Sequence, residues 1–132
     1  MNHLPLMIVN SIPHRLQRYD TVGDWYDHSG VLHFCVSNMT PDMEMETLFH
    51  EMFEWYLCQK EGITAAMVDK WDFSHPDSDD PGALKGCPYR KQHMAAMKVS
   101  KLVAKLMGYG WDEYCDEYEE LAVKLSEQRR IK

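Results

Sequence analysis

The stretch Leu48–Cys58, LFHEMFEWYLC, sets His50, Glu51 and Glu54 among large apolar residues. Charge in such company is costly to bury unless it is paired or holds a metal. On a helix each residue advances by about 100°, so positions four apart nearly eclipse. His50 and Glu54 therefore point the same way, on a stripe shared with Thr47, Leu57 and Cys58, and Glu51 sits beside them. The opposite face carries Met45, Leu48, Phe49, Met52, Trp55 and Tyr56. The expectation is a helix packed by its apolar side and chemically armed on the other.

The boundaries of this helix are written in its flanks. Thr40 is a good N-cap, Pro41 suits the first helical position, and Asp42 and Glu44 complement the helix dipole. The helix should run to Gln59 or Lys60, with Gly62 as its stop. Before it the chain reads as extended. LPLMIV is a candidate strand, RLQRYDTVGDWY carries β-branched and aromatic residues, and the turn signal DHSG leads into VLHFCV as a hairpin. After it, TAAMVDKWDF suggests a short helix capped by Thr64, and SHPDSDDPGALKGCP reads as an exposed loop. A long helix from Tyr89 to Met107 is stopped by Gly108, and WDEYCDEYEELAVKLSEQRR makes a last helix. The fold class expected is α+β: a small, mostly antiparallel sheet from Leu4 to Val36 packed on the helix that begins near Thr40, then a helical half. The layout is a single domain over 1–132, with strands in 1–39, the armed helix in 40–61, a short helix in 64–73, a loop in 74–88 and helices in 89–128.

An imidazole and a carboxylate at i and i+4 can both reach one zinc ion at about 2 Å. A glutamate at i+1 is then placed to take a proton from an attacking water. The pattern here is HExxE, with Glu54 where HExxH has a second histidine. Glutamate remains a competent zinc ligand but leaves more negative charge at the metal, so bound water should be less acidic. A third ligand is expected from His93, at the edge of an apolar stripe of Ala95, Ala96, Val99, Leu102 and Leu106 in the next long helix. The competing explanations are a surface-edge histidine with two solvated glutamates, and for His93 a hydrogen bond at a helix start. Asp69 and Asp72 are candidates to orient an imidazole, or are helix-cap and surface charges. His75 reads as solvated loop, and His3, His14, His28 and His33 are assigned no chemistry.

Composition narrows the field. The chain has 132 residues, 45% hydrophobic and 27% charged, as in an ordinary globular domain. A net charge of -7 argues against a nucleic-acid partner, which needs a basic face to release counterions. It leaves open an acidic mimic of DNA. No stretch approaches the roughly 20 apolar residues of a membrane span, and the amino terminus lacks the pattern of a signal peptide. Cys35, Cys58, Cys87 and Cys115 form no CxxC pair and are expected to be reduced thiols in a cytoplasmic protein. None is expected to be a ligand, although Cys58 lies one turn beyond Glu54.

The HExxE helix after a small sheet, with a later histidine from another helix, resembles the zincin-like metallopeptidases. QRYDTVGDW, HEMFEWYLCQKEGI, VDKWD, PYRKQH and GYGW, in that order from Gln17 to Tyr114, are similar to small proteins of tailed bacteriophages and prophages. The zincin resemblance implies that His50 is a ligand and Glu51 the general base. Glu54 departs from that pattern, because zincins carry histidine there.

The function expected is a small zinc-dependent hydrolase acting on a peptide or amide bond, with His50, Glu54 and His93 on the metal and Glu51 as base. Peptides or a host protein are the expected partners. Two alternatives compete. Glu51-x-x-Glu54 and Asp69-x-x-Asp72 loosely match the acidic helix pairs of magnesium-dependent nucleotide pyrophosphatases. A non-catalytic acidic accessory protein, holding structural zinc or binding a host factor as a DNA mimic, would use Asp77, Asp79, Asp80 and DEYCDEYEE, which otherwise are solvated surface.

Overall fold

The most apolar strand takes the centre of the sheet. The structure is a computed structural model that describes residues 2–131, so the end positions 1 and 132 of the expected domain lie outside the described residues. Strands β1 (Met7–Ile12), β2 (Gly23–His28) and β3 (Val31–Ser37) form one sheet in the order β1-β3-β2. β3 buries Leu32, Phe34, Cys35 and Val36. β2 pairs with it in antiparallel register through a hairpin, as DHSG suggests. Ser29 and Gly30 turn that hairpin with φ of 51° and 79°, the two positive angles of a type I′ turn.

β1 departs from the expected arrangement. It runs parallel to β3, pairing Met7 with Leu32 and Ile12 with Ser37, so the sheet is mixed. An antiparallel meander would place β2 in the middle, and β2 carries Gly23, Asp24, Asp27 and His28. Central strands favour continuous apolar sequence, which VLHFCV supplies. The segment 13–22, part of which was expected to be strand, wraps the end of β3 instead. There His14 Nδ1 lies 2.8 Å from Ser37 Oγ, and Gln17 Nε2 donates to Ser37 Oγ at 3.2 Å.

The helices are α1 (Pro41–Lys60), α2 (Ala65–Phe73), α3 (Arg90–Leu106) and α4 (Trp111–Arg130). Thr40 and Thr64 cap α1 and α2 by accepting from Met43 N–H and Met67 N–H. Gly62 and Gly108 take φ of +71° and +95° just beyond α1 and α3, where a side chain would be strained. The larger core cluster joins Trp25, Leu32 and Phe34 of the sheet to Trp55 and Cys58 of α1 and to Ile63, Val68, Cys87 and Tyr89. A smaller one seats Tyr114 of α4 against Met43 and Ala104. Among the described residues, no helix is long and apolar enough to cross a membrane.

α1 is turned differently from expectation. Trp55 is buried, and Leu48 and Met52 pack against the sheet cluster, as an amphipathic helix requires. Met45, Phe49 and Tyr56, expected in that packed face, are exposed, and so is Phe53. The polar stripe of Glu46, Thr47, His50 and Glu54 is the buried side, turned toward α3 and α4. Each buried polar group there meets a partner from another element, which removes the usual penalty for desolvating it.

Candidate metal centre

α1 supplies His50 and Glu54 one turn apart, and α3 supplies His93 from the other side. Glu54 Oε2 lies 3.2 Å from His50 Nε2 and 2.8 Å from His93 Nδ1. One donor atom from each residue falls within 4.8 Å of the others. Tetrahedral zinc with nitrogen and oxygen ligands near 2.1 Å separates its donors by about 3.4 Å, so these atoms need only small shifts. The structure thus brings the side chains of His50, Glu54 and His93 together.

The outward atoms of the trio have polar neighbours. His50 Nδ1 lies 3.1 Å from Ser100 Oγ, a hydroxyl on α3. Asp80 Oδ1 stands 2.9 Å from His93 Nε2, at an angle short of a full hydrogen bond. Trp25 Nε1–H donates to Glu54 Oε1 at 3.2 Å. Each imidazole thus has its outer nitrogen beside an oxygen and its inner nitrogen facing Glu54 Oε2. Histidines that bind metals are commonly held this way, because a proton fixed on one nitrogen leaves a lone pair on the other.

Two glycines let the site close. A Cβ on Gly82 would stand 2.6 Å from His93 Cγ, and one on Gly23 would stand 2.6 Å from Glu51 Oε1. Backbone therefore presses directly on the His93 ring and on the Glu51 carboxylate.

Charge is unevenly tuned. Burial disfavours the Glu54 carboxylate, but hydrogen bonds from His50 and His93, with their charge, win and hold it at about 2. Burial also opposes the His93 imidazolium, yet Asp80 and Glu54 lift it to about 10. Glu51 is pushed well above the carboxylate range by burial first, then by the charges of Glu54 and Asp24. Adjacent acids on one helix turn thus differ in basicity.

Asp69 and Asp72 do not reach the histidines. Asp69 pairs with Arg18 Nη1 at 2.9 Å, and Asp72 accepts from Tyr19 Oη–H at 2.9 Å and from Tyr89. Both acids are thereby engaged, which leaves the magnesium alternative short of free carboxylates. Cys58 is fully buried in the core, where burial lifts its thiol to about 12, and all four cysteines are free. His75 lies against Trp71, its ring 4.0 Å from the indole.

Ser100, Asp80, Trp25, Gly82 and Gly23 are not readable as site residues in the sequence. Only Ser100 carries a local signal, since it follows His93 by two helical turns on the same face as Ala96 and Ala104. Comparison with protein-family models, curated proteins and solved structures finds no match to this chain.

Proposed function

We propose that the chain is a zinc-dependent hydrolase of peptide or amide bonds, with His50, Glu54 and His93 holding the ion. The observation that carries this is the convergence of His50 Nε2 and His93 Nδ1 on Glu54 Oε2, with Ser100 Oγ 3.1 Å from the outer nitrogen of His50 and Asp80 Oδ1 beside that of His93. Zinc bound there would polarise a substrate carbonyl and make water more acidic. Glu51 is the proton acceptor, since burial and neighbouring acids make its carboxylate unusually basic. Asp80 and Ser100 orient the imidazoles, and Trp25 holds Glu54 Oε1 so that Oε2 faces the histidines.

A structural zinc without turnover is the second reading. It is favoured by burial, with the side chains of His50, Glu54 and His93 only 10%, 6% and 11% exposed. Elemental analysis and a peptide library read by mass spectrometry separate the two. One zinc per chain with cleavage supports the hydrolase, and one zinc without cleavage supports the structural reading. Iron in place of zinc, which the same donor set accepts, would overturn the metal assignment. Replacing His50, Glu54 or His93 with Ala should release the metal. Glu51→Gln should keep it while hydrolysis falls by roughly 10²–10⁴-fold. Loss of zinc from Glu51→Gln as complete as from Glu54→Ala would mean that base and ligand are wrongly assigned.

A further inference from the structure

The outer side of α1 carries an apolar stripe that nothing among the described residues covers. Met45, Phe49, Phe53 and Tyr56 succeed one another at intervals of three or four, each between 39% and 46% exposed. Half-exposed Asp42, which accepts from Tyr109 Oη–H at 2.6 Å through Oδ2 and keeps Oδ1 for a second partner, continues the stripe at the amino end, and exposed Lys60 continues it at the carboxyl end. By rotation about the helix axis all six fall on one side. The stripe is thus acid, apolar, base from end to end, and its positions are nearly symmetric about residue 51. Residues 42 and 60 are equidistant from that point, as are 49 and 53.

We propose that this stripe is a homodimer interface in which α1 packs antiparallel against α1 of a second copy, across a two-fold axis that passes through the stripe at the level of residue 51. An isologous contact needs a self-complementary surface, and an antiparallel apposition provides one here. Phe49 of each copy meets Phe53 of the other, Met45 meets Tyr56, and Asp42 at one end meets Lys60 at the other. A parallel or head-to-tail contact would lose the charge match.

Sedimentation velocity of the full chain, from nanomolar to tens of micromolar, tests this. The expected species at the upper end has twice the 15.5 kDa of one chain. Phe49→Glu and Phe53→Lys should each weaken self-association by at least ~100-fold, as for central anchors of an interface. Mixed together, the two variants should form a heterodimer, because the new charges face each other across the axis. A wild-type chain that stays monomeric throughout overturns the proposal and leaves the face to another kind of partner. A dimer that survives both substitutions overturns the choice of face, and failure of the mixture to associate overturns the antiparallel register. Should either charged variant fail to fold, Met45→Ala combined with Tyr56→Ala must still weaken the dimer by ~10-fold or more. An unchanged dimer in that variant likewise overturns the choice of face.

Discussion

Gly82 occupies a position against His93 that leaves no room for a side chain. Its Cα packs on the His93 imidazole so closely that a methyl group would fall 2.8 Å from Nδ1, the atom turned toward Glu54. Gly82→Ala should push the ring away from Glu54 and weaken zinc binding by about 10–100-fold, the range seen when groups that orient metal ligands are lost. A competitive zinc titration against a chromogenic chelator checks this. Gly110→Ala is the control, because a methyl group there meets its nearest neighbour at 3.9 Å. Equal zinc affinity in the two variants would mean that His93 has room to move and is not held by the loop.

At the scale of elements, α2 is tied to its surroundings by acids rather than by its apolar face alone. Asp72 accepts from Tyr19 in the segment before β2 and from Tyr89 at the start of α3. Arg18 bridges Asp69 to Asp24 and lies 4.4 Å from the Tyr26 ring. Burial is the main influence on Asp72, and Glu54 and Asp24 add to it, so despite the tyrosine hydrogen bonds its carboxyl is raised to about 6. The ordinary value is 3.8, so folding favours the protonated form. The corresponding stability is full below pH 3.8 and is lost as pH rises through about 6. Asp72→Asn removes that titration. The stability difference between wild type and Asp72→Asn, from urea unfolding at successive pH values, should shift against wild type by ~1–3 kcal/mol across this window and stay level above it. A difference independent of pH would show that Asp72 is not desolvated in the fold.

For the molecule as a whole, the centre joins α1 to α3, and the α4 tyrosines join it to the same side of α1. Tyr114 donates to buried Glu46 at 2.6 Å, and Tyr118 Oη lies 2.6 Å from Thr47 Oγ1. A ligand that binds only the folded chain stabilises it by ~2.7 kcal/mol at one hundred times its Kd. Saturating zinc should therefore raise Tm by roughly 5–15 °C for a domain of this size. A chelator should reverse the gain, and His93→Ala should show none of it. Tyr114→Phe leaves Glu46 without its donor and should cost about 1.5–3 kcal/mol with zinc affinity unchanged, measured by thermal melts and the same titration. A zinc-independent melting temperature in the wild type would remove the metal from the account of stability and function.

The sequence by itself determined what depends on near neighbours. The caps Thr40 and Thr64, the stops Gly62 and Gly108 and the hairpin at Ser29-Gly30 follow from local backbone chemistry, and so does the shared stripe of His50 and Glu54. Only the tertiary structure decided which side of α1 faces inward. Spacing fixes which residues share a side, but rotation of a helix is set by what the rest of the chain offers each side. The polar stripe is buried because His93, Ser100, Trp25 and Tyr114 arrive from three other elements to satisfy it. The parallel pairing of β1 is decided in the same way, by competition among strands for the centre of the sheet. Asp80 and Gly82 carry no pattern of their own, and their places beside His93 come from how the loop after α2 folds back onto α3.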